Sequence, residues 1–376
     1  MLSFWERESF TDYDYIVVGG GIVGCSTAYH LKTIHPEASI AILERGIFPS
    51  GASSKNAGFA CFGSLTELAD DLPNLGADGL VALVKKRWEG LQLLREILGT
   101  KTIDFQLNRG YELIRAKEAA VLPQMTYFND LLLPIFGEPV FKEEPSLVDT
   151  FNFDASQVQT IVSNQFEGQI DTGKMMQAWW ELCAKNSIKL FTGCEVASID
   201  VEKGQIRVQS QQYGDVPFTA KKIAICTNAF SKRFLPDEDI EPGRGMVMVT
   251  KPIPNLKFKG VFHYDEGYFY FRNIGERLLI GGGRNLDKAG EQTENFGINE
   301  MIKQQILHDI EKLILPGQSF AIDMEWSGIM AFGKNKAPIV KKIADNTAIG
   351  VRLGGMGVAI GTQVGKEISE LLTRKN

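Results

Sequence analysis

The chain has 376 residues, of which 44% are hydrophobic and 23% charged, and its formal net charge at pH 7 is −6. This length exceeds what one ordinary core holds and predicts two domains, and the composition is typical of globular, water-soluble proteins. The weak acidity gives no electrostatic reason to expect nucleic acid or an anionic membrane as a partner.

Cysteine and histidine usage excludes several kinds of site. The five cysteines are scattered and form no C-x-x-C pair, which indicates reduced thiols rather than disulfides or a zinc site. The four histidines show no metal-ligand spacing, and no G-x-S-x-G hydrolase motif is present. The N-terminus, MLSFWERESFTD, is not a signal peptide, and the apolar run after it is too short to span a bilayer. We therefore expect a cytoplasmic protein with no metal, no nucleic-acid partner and no integral membrane segment.

The first elements form a strand–helix–strand unit. YIVVG predicts a buried strand, residues 22–32 predict a helix, and SIAILE predicts a second strand. A unit of this type implies a parallel sheet. A polar loop rich in glycine and serine follows, and residues 77–98 predict a long helix.

The later segments alternate in character. FQLNRGYELIRA has the pattern of a strand, and Asp171 and Thr172 are placed to cap a helix. Strands are predicted over IKLFTG, VASIDV, QIRVQS and KKIAICTNAF, and residues 243–284 are strand-rich. After the helix INEMIKQQILHDIEKLI and the segment MEWSGIMAF, the chain closes as strand, glycine loop and helix. Nucleotide-type α/β segments thus occur at the start, middle and end, which predicts two domains built from discontinuous pieces.

The first unit carries a dinucleotide-binding motif. Gly19, Gly21 and Gly24 form G-x-G-x-x-G between the strand and the helix, where glycine permits a tight turn and a close approach to a pyrophosphate. The helix N-terminus then offers unpaired N–H groups to the phosphates. Glu44 ends the second strand about 20 residues after the last glycine, where an acidic residue is expected to bind a ribose hydroxyl pair. A carboxylate there disfavours the 2′-phosphate of NADP.

Four segments decide which dinucleotide is expected. GGGIVGCSTAYHL…ILERG, followed directly by GASSKNAGF, resembles the FAD-dependent amine and amino-acid oxidoreductases of the D-amino-acid oxidase-like superfamily. ICTNAFS, RLLIGGG and GVRLGGMGVAIGTQVGKEISELL match this superfamily in the same order. The resemblance implies an α/β fold with a Rossmann-type FAD-binding domain over residues 1–90, 155–235 and 325–376. It also implies a mixed, largely antiparallel substrate domain over residues 91–154 and 236–324.

The resemblance further implies which residues contact FAD. GASSKNAG would lie beside the isoalloxazine ring, Val196 would pair with the adenine through its backbone, and the closing glycine loop would cover the pyrimidine end of the flavin. A helix N-terminus there stabilises negative charge that develops on reduction. The implied set is Gly19, Gly21, Ile22, Val23, Gly24, Glu44, Arg45, Ser53, Ser54, Asn56, Ala57, Gly58, Val196, Thr227, Asn228, Gly354, Gly355, Met356, Gly357 and Val358. The closing loop has no cysteine and the early loop no histidine, so we predict noncovalent FAD.

Arginines are the candidates for holding a substrate carboxylate, because the guanidinium fork matches it bidentately. YFYFR places Tyr268, Tyr270 and Arg272 on one face of a strand, with two phenylalanines packing inward from the other. Arg272 and Arg352, which precedes the closing glycine loop, are the predicted anchors, with Tyr270 beside them. Arg244 is interpreted as structural.

One position departs from the superfamily pattern. Amino-acid oxidases often carry an arginine where this chain has Met330, with Lys334 and Lys336 beyond it. This puts simple recognition of glycine or a D-amino acid in doubt. It leaves room for a larger or differently anchored amine, with Met330 as a pocket wall.

The sequence therefore predicts an FAD-dependent oxidoreductase that oxidises the C–N bond of an amine or amino acid to an imine by hydride transfer to flavin. Oxygen or another acceptor would reoxidise the flavin. One alternative is oxidation of a 2-hydroxy acid, which would want a histidine base, and His263 is the one plausible candidate. A second alternative is a flavin-binding protein without turnover. No basic patch supports a nucleic-acid-modifying flavoprotein.

Overall fold

The computed structural model describes residues 1–210 and 212–374. The strands are β1 (Asp12–Val18), β2 (Ile40–Leu43), β3 (Phe59–Ala60), β4 (Gly110–Ile114), β5 (Phe141–Glu143), β6 (Thr160–Asn164), β7 (Gly168–Gln169), β8 (Lys189–Phe191), β9 (Glu195–Asp200), β10 (Gln205–Ser210), β11 (Gly214–Ile225), β12 (Glu241–Thr250), β13 (Val261–Tyr264), β14 (Phe269–Ile274), β15 (Arg277–Gly282), β16 (Ile322–Phe332), β17 (Ile339–Ala344) and β18 (Thr347–Val351). The α-helices are α1 (Phe4–Phe10), α2 (Ile22–Ile34), α3 (Ala52–Lys55), α4 (Leu65–Leu98), α5 (Met125–Phe136), α6 (Leu147–Phe151), α7 (Thr172–Lys185), α8 (Glu300–Asp309) and α9 (Gly357–Thr373). None of the helices in this described part combines the length and apolarity needed to cross a bilayer.

The first sheet has a parallel centre, as predicted from the opening unit. Its strands run in the order β17-β18-β11-β1-β2-β8, and β1 pairs in parallel with both β2 and β11. β9 and β10 extend β11 as an antiparallel flap, and β17 is antiparallel to β18. The order places the first, middle and last segments of the chain side by side, so residues far apart in sequence meet at one edge.

Helices α2 and α9 lie against each other on one face of this sheet. A Cβ at Gly361 would come within 2.9 Å of the Ile22 side chain, and one at Gly365 within 2.5 Å of Ser26. The Ser26 hydroxyl donates to the Thr362 carbonyl at 2.7 Å. The small residues permit this close approach, which fixes the two helix N-termini relative to each other.

The second sheet is mixed and largely antiparallel, in agreement with the prediction. Its order is β16-β12-β15-β14-β13-β4-β6-β5, and β13 pairs in parallel with β4. Phe269 and Phe271 point into an aromatic core, where the ring of Phe271 stacks on that of Phe262 at a centroid separation of 4.7 Å. The predicted alternation along YFYFR is therefore confirmed.

The strand pairings differ from two of the predicted domain boundaries. Boundaries at 155 and 325 assigned β6 and most of β16 to the FAD-binding segments. Both strands pair within the second sheet instead, β6 with β4 and β16 along the length of β12. Short apolar runs do not reveal which sheet they join, because pairing partners are set by tertiary packing.

The predicted helix over residues 77–98 is present as the second part of α4, which breaks at Gly76, where φ is +67°. The elements that were not predicted are α3 and β3 in the early loop and the first part of α4, which begins at Leu65. Ser64 and Glu67 form a capping box at that start. The first part of α4 thereby packs over the site described next.

Candidate active site

One large cavity is lined by residues that follow β1, β2, β11 and β18 of the first sheet and by residues of the second sheet. Its volume is about 550 Å³, within the range of small-molecule and cofactor sites. Gly19, Glu44 and Val196 line one end, and Tyr270 and Met330 line the other. All the predicted cofactor residues line it except Gly24 and Ser54.

The glycine loop is shaped by contacts that leave no room for side chains. Gly19 has φ of +106°, and a Cβ there would lie 2.8 Å from the carbonyl oxygen of Cys226. A Cβ at Gly24 would lie 1.8 Å from the carbonyl oxygen of Gly19. Gly24 therefore acts from behind the cavity, by letting α2 begin directly against the turn.

Two helix N-termini open onto the cavity, and neither is capped by the side chain of its own N-cap residue. α2 begins after Gly21 and α9 after Met356, and neither N-cap side chain accepts a hydrogen bond. The first residues of both helices line the cavity. Uncapped N–H groups with the positive end of a helix dipole favour an anionic group. The pair fits a ligand with a pyrophosphate and a ring that becomes anionic on reduction.

Glu44 lies at the other end of the first unit. One carboxylate oxygen accepts a hydrogen bond from the Gly20 N–H and the other from the Gly46 N–H, both at 2.9 Å. The guanidinium of Arg45 lies over the Phe230 ring, 4.1 Å from its centroid. A buried carboxylate held in this way suits a pair of ribose hydroxyls and repels a phosphate.

The loop that carries α3 is held by its own polar side chains. Ser53 Oγ accepts from the Ile22 N–H at 3.0 Å, at the mouth of α2. Ser54 donates to the carbonyl of Pro49 and does not line the cavity. Asn56 donates to the Ser53 carbonyl and accepts from the Gly58 N–H, both at 2.8 Å. The side chain of Asn56 thus shapes the loop, and the backbone of this segment is what faces the cavity.

Thr227 and Asn228 follow β11 and line the cavity as predicted. The Thr227 hydroxyl hydrogen-bonds with the Ser231 hydroxyl at 2.8 Å, and Asn228 Oδ1 accepts from the Arg352 N–H at 3.0 Å. Asn228 has φ of +48°. Both side chains hold the turn, which leaves their backbone and the Thr227 methyl group to contact a ligand.

The two predicted arginine anchors do not line the cavity, which corrects the interpretation made from sequence. Arg272 lies beneath the loop that carries α3 and donates from Nε to the Ala57 carbonyl. Its side chain is almost fully buried, and burial lowers the pKa of Arg272 to about 10. The strand alternation gave the correct face, but the loop covers this position.

Arg352 is likewise taken up by structure. It forms an ion pair with Asp239 and donates to the Ala337 carbonyl and the Asn335 side chain. Its φ is +63°, which turns the side chain towards the segment over 333–337. Arg352 therefore pins that segment and presents no free donor to a substrate.

Tyr270 does line the cavity, as predicted. Its ring packs edge-on against Phe59 with a centroid separation of 5.4 Å. Burial raises the pKa of Tyr270 to about 12, so the phenol is neutral at physiological pH. Arg244, interpreted as structural, forms a two-point ion pair with Glu291 at 2.7 and 3.0 Å.

Two cavity-lining arginines were not predicted: Arg233, which forms an ion pair with Glu195 at 3.0 Å, and Arg284. Arg284 is the one without a charged partner among the described residues. It follows two glycines with positive φ at the end of β15, and its guanidinium carbon lies 3.9 Å from the centroid of the Phe332 ring. Burial lowers the pKa of Arg284. The sequence contained a usable indication of this position. Arg284 comes directly after the segment RLLIGGG, so a charged residue stands at the end of a buried strand.

His263 lies on the wall of the cavity beside Phe59. Its Nε2 atom is buried and has no hydrogen-bond partner in the described residues. Burial lowers the pKa of His263, so the imidazole is neutral. The neighbouring strand places Glu112 in register with it, and burial raises the pKa of Glu112 to about 7.

Carboxylates from the first turns of α4 face the same space. Glu67, Asp70 and Asp71 line the cavity, and Lys336 forms an ion pair with Asp71 at 2.7 Å. Burial raises the pKa of Asp71. This pair ties α4 to the segment over 333–337, so the helix covers the substrate end of the cavity.

Comparisons with known proteins agree with this geometry. The family model described as FAD dependent oxidoreductase matches residues 14–371. Glycine oxidase of Bacillus licheniformis is 25% identical over 373 residues, covering 96% of this chain and 93% of that protein. The structure of glycine oxidase from Geobacillus kaustophilus matches with a TM-score of 0.77 at 19% identity, covering 97% of this chain and 96% of that one. L-proline dehydrogenase from P. horikoshii matches with a TM-score of 0.76 at 18% identity, covering 96% and 94%.

Proposed function

The chain belongs to the FAD dependent oxidoreductase family, and from that membership we propose that it oxidises the C–N bond of a small amine or amino acid. The substrate's Cα–H leaves as hydride and the nitrogen loses a proton, giving an imine that water hydrolyses to a carbonyl compound and free amine or ammonia. FAD supplies the hydride acceptor when bound. Because this family consists of oxidoreductases, the alternative of a flavin-binding protein without turnover is set aside.

We propose that residues in three places would hold FAD. The N-terminus of α2 would face the pyrophosphate, Glu44 the ribose hydroxyls, and the N-terminus of α9 the pyrimidine end of the flavin. We propose that attachment is noncovalent, which the absence of cysteine from Gly354 to Val358 supports. Acid precipitation that leaves a colourless pellet and a yellow supernatant is the expected result, whereas a yellow pellet would contradict it.

The observation that carries the proposed reaction is the continuity of the cavity. It runs without a break from the glycine loop to an end lined by Tyr270, Met330 and Phe332. A small substrate there would lie against the cofactor, which would position the reacting atoms of the two molecules. The names of two matched proteins, glycine oxidase and L-proline dehydrogenase, agree with amine or amino-acid substrates.

A second candidate, oxidation of a 2-hydroxy acid, is favoured by one observation. His263 is neutral, lies on the cavity wall and has an unpartnered Nε2 among the described residues. A neutral imidazole is the kind of base that this reaction needs, to accept the proton of the hydroxyl while the Cα–H leaves as hydride. Oxidation of a neutral amine depends less on a base at His263, because the nitrogen already carries a lone pair.

Product analysis separates the two candidates. The purified holoenzyme is supplied with an artificial electron acceptor and with matched pairs of substrates, such as alanine and lactate or proline and 2-hydroxypentanoate. The amine reaction yields a carbonyl compound or cyclic imine from the amino acid and, for alanine, one ammonia per acceptor reduced. Turnover of the hydroxy acids alone, without ammonia, would replace the first candidate with the second.

The acceptor and the location remain proposals of the same kind. We propose oxygen or another small electron acceptor, and the two are distinguished by the yield of hydrogen peroxide per substrate oxidised in air.

A reducing, cytoplasmic location is supported by the free state of Cys25, Cys61, Cys183, Cys194 and Cys226. Finding the protein in a cytosolic fraction tests this.

A further inference from the structure

Arg284 carries a positive charge that the protein itself does not balance. In residues 1–210 and 212–374 its guanidinium forms no hydrogen bond and no ion pair, although the side chain is half-buried on the cavity wall. The aromatic ring of Phe332 covers one face of the guanidinium. The in-plane N–H donors therefore have no acceptor within the described part of the protein.

The acidic groups that interact electrostatically with Arg284 either bind another residue or are exposed to solvent. Glu291 is almost fully buried and holds Arg244 through both carboxylate oxygens. Glu241 is exposed at the start of β12. Neither of these removes the need for an anion at Arg284.

Such a guanidinium is unusual, because a charge taken partly out of water is normally paired or hydrogen-bonded. The stacked ring leaves the edge of the fork free, which is the edge that binds a carboxylate through two parallel hydrogen bonds. The cavity supplies the space in front of it. The missing partner is thus expected to be the ligand.

The position of Arg284 places this partner at the substrate end. A Cβ at Gly243 would lie within 2.5 Å of the Phe332 ring and 3.6 Å from Cδ of Arg284. Met330, two residues earlier on the same strand, has its sulfur 3.8 Å from the Cβ position of Gly355 in the closing loop. Arg284, Phe332, Met330 and the closing loop therefore form one continuous wall.

From these observations we propose that Arg284 binds the carboxylate of the substrate, so that the substrate is an amine bearing a carboxylate rather than a simple amine or polyamine. This rests on the proposed function and narrows it. The proposed anchor lies at the end of β15. It does not lie on β16, where amino-acid oxidases often carry an arginine and this chain has the apolar Met330. The acids on α4 face the same cavity, which gives the amino group of a zwitterion a favourable side.

Binding of carboxylates that cannot be oxidised tests the proposal without turnover. The oxidised holoenzyme is titrated with acetate and benzoate and, in parallel, with acetamide and benzamide, while the visible flavin spectrum and the Tm are recorded. We expect binding of the carboxylates, with the amides at least 10-fold weaker. Arg284→Met is expected to weaken carboxylate binding by roughly 10- to 100-fold, and Arg284→Lys by less, because charge remains but the fork is lost.

Arg207→Met is the matched control, since it removes an arginine on the exposed antiparallel flap of the other sheet. It is expected to bind carboxylates as the parent does. Equal affinity of the parent for acids and amides, or unchanged carboxylate binding in Arg284→Met, would overturn the proposal. A fall in Tm of Arg284→Met without ligand is checked first, and Arg284→Lys replaces it if that variant does not retain FAD.

These experiments distinguish failure of the carboxylate anchor from failure of the proposed reaction. Carboxylate binding through Arg284 without oxidation of any amine would leave the anchor standing and remove C–N oxidation. Oxidation of simple amines as readily as amino acids, with Arg284→Met unaffected, would remove the anchor and leave the reaction.

Discussion

The hydroxyl of Ser26 on α2 donates to the carbonyl of Thr362 on α9, 336 residues away in the chain, at 2.7 Å. This contact lies beside Gly365, where a Cβ would come within 2.5 Å of the Ser26 side chain. It helps to set the spacing of the two helix N-termini that face the cavity. The cofactor site is therefore a property of the helix crossing as much as of the glycine motif.

Gly365→Ala is expected to widen that crossing and weaken FAD binding. Its Cβ would lie 2.5 Å from the Ser26 side chain and 2.7 Å from the Val23 carbonyl oxygen, so the helices must separate. Overpacking of this kind costs about 1–3 kcal/mol. We expect a lower Tm and a higher Kd for FAD, measured by the fluorescence of released flavin. Gln363→Ala, on the half-buried side of α9, should leave both unchanged, and an unaltered Kd in Gly365→Ala would contradict the account.

Glu44→Gln tests the assignment of the ribose site. The variant keeps the size of the side chain but removes the charge from a carboxylate that accepts from the Gly20 and Gly46 N–H groups. Hydrogen bonds to a charged group contribute about 1.5–3 kcal/mol, so FAD should bind roughly 10- to 100-fold more weakly. Asp14→Asn makes the same chemical change at the other end of β1 and serves as the control. Equal FAD retention in both variants would argue against a role for Glu44.

Arg352→Met is expected to destabilise the protein without changing carboxylate affinity. Removing Arg352 leaves Asp239 without its cation and frees the segment over 333–337. Because the Asp239 side chain is 32% exposed, the loss of stability is expected to be smaller than the value of about 3–5 kcal/mol for a fully buried pair, but still large enough to lower the Tm measurably. Acetate and benzoate should bind the folded variant with unchanged Kd. A selective loss of carboxylate binding, with the Tm intact, would restore Arg352 as an anchor.

Two buried carboxyl groups predict how stability depends on pH. Burial raises the pKa of Glu112 to about 7 and that of Glu167 to about 8. The folded protein keeps these protons at pH values where the unfolded chain has lost them. Their contribution to stability is complete below the ordinary carboxyl pKa near 4.5 and declines to nothing by about pH 8. The slope is at most about 1.4 kcal/mol per pH unit and group, and it ends near pH 7 for Glu112 and near pH 8 for Glu167.

Glu167→Gln should flatten this decline. The amide oxygen still accepts from the Phe62 and Gly63 N–H groups, as Glu167 does, but no proton is lost on unfolding. The Tm of the holoenzyme, measured from pH 5 to pH 8.5, should therefore fall less in this variant than in the parent. Glu89→Gln, on the exposed face of α4, is the control. A parent whose Tm rises across this range would show that other groups dominate.

Local patterns were sufficient for the dinucleotide end of the site. The spacing of Gly19, Gly21 and Gly24 and the position of Glu44 depend on one strand–helix–strand unit, so local sequence was enough to place these residues around one turn. The role of Gly24 behind the cavity follows from the same unit. The parallel sheet and the alternation in YFYFR were predicted for the same reason.

The substrate end depends on long-range packing, which local patterns do not contain. Arg272 lies on the predicted strand face, but the loop that carries α3, more than 200 residues earlier, covers it. Arg352 precedes the closing loop as predicted, but Asp239 holds its guanidinium. Arg284 faces the cavity because two glycines with positive φ turn the chain at the end of β15. The orientation of each of these arginine side chains depends on which strands and loops pack together in the folded chain.

The most direct test of the central claim is anaerobic mixing of the oxidised holoenzyme with amino acids, simple amines and 2-hydroxy acids, followed by the flavin absorbance. We expect one or more amino acids to bleach the flavin. Amines of the same shape without a carboxylate should bleach it far more slowly, and 2-hydroxy acids should not bleach it. Bleaching by 2-hydroxy acids alone would contradict C–N oxidation and assign His263 the role of base.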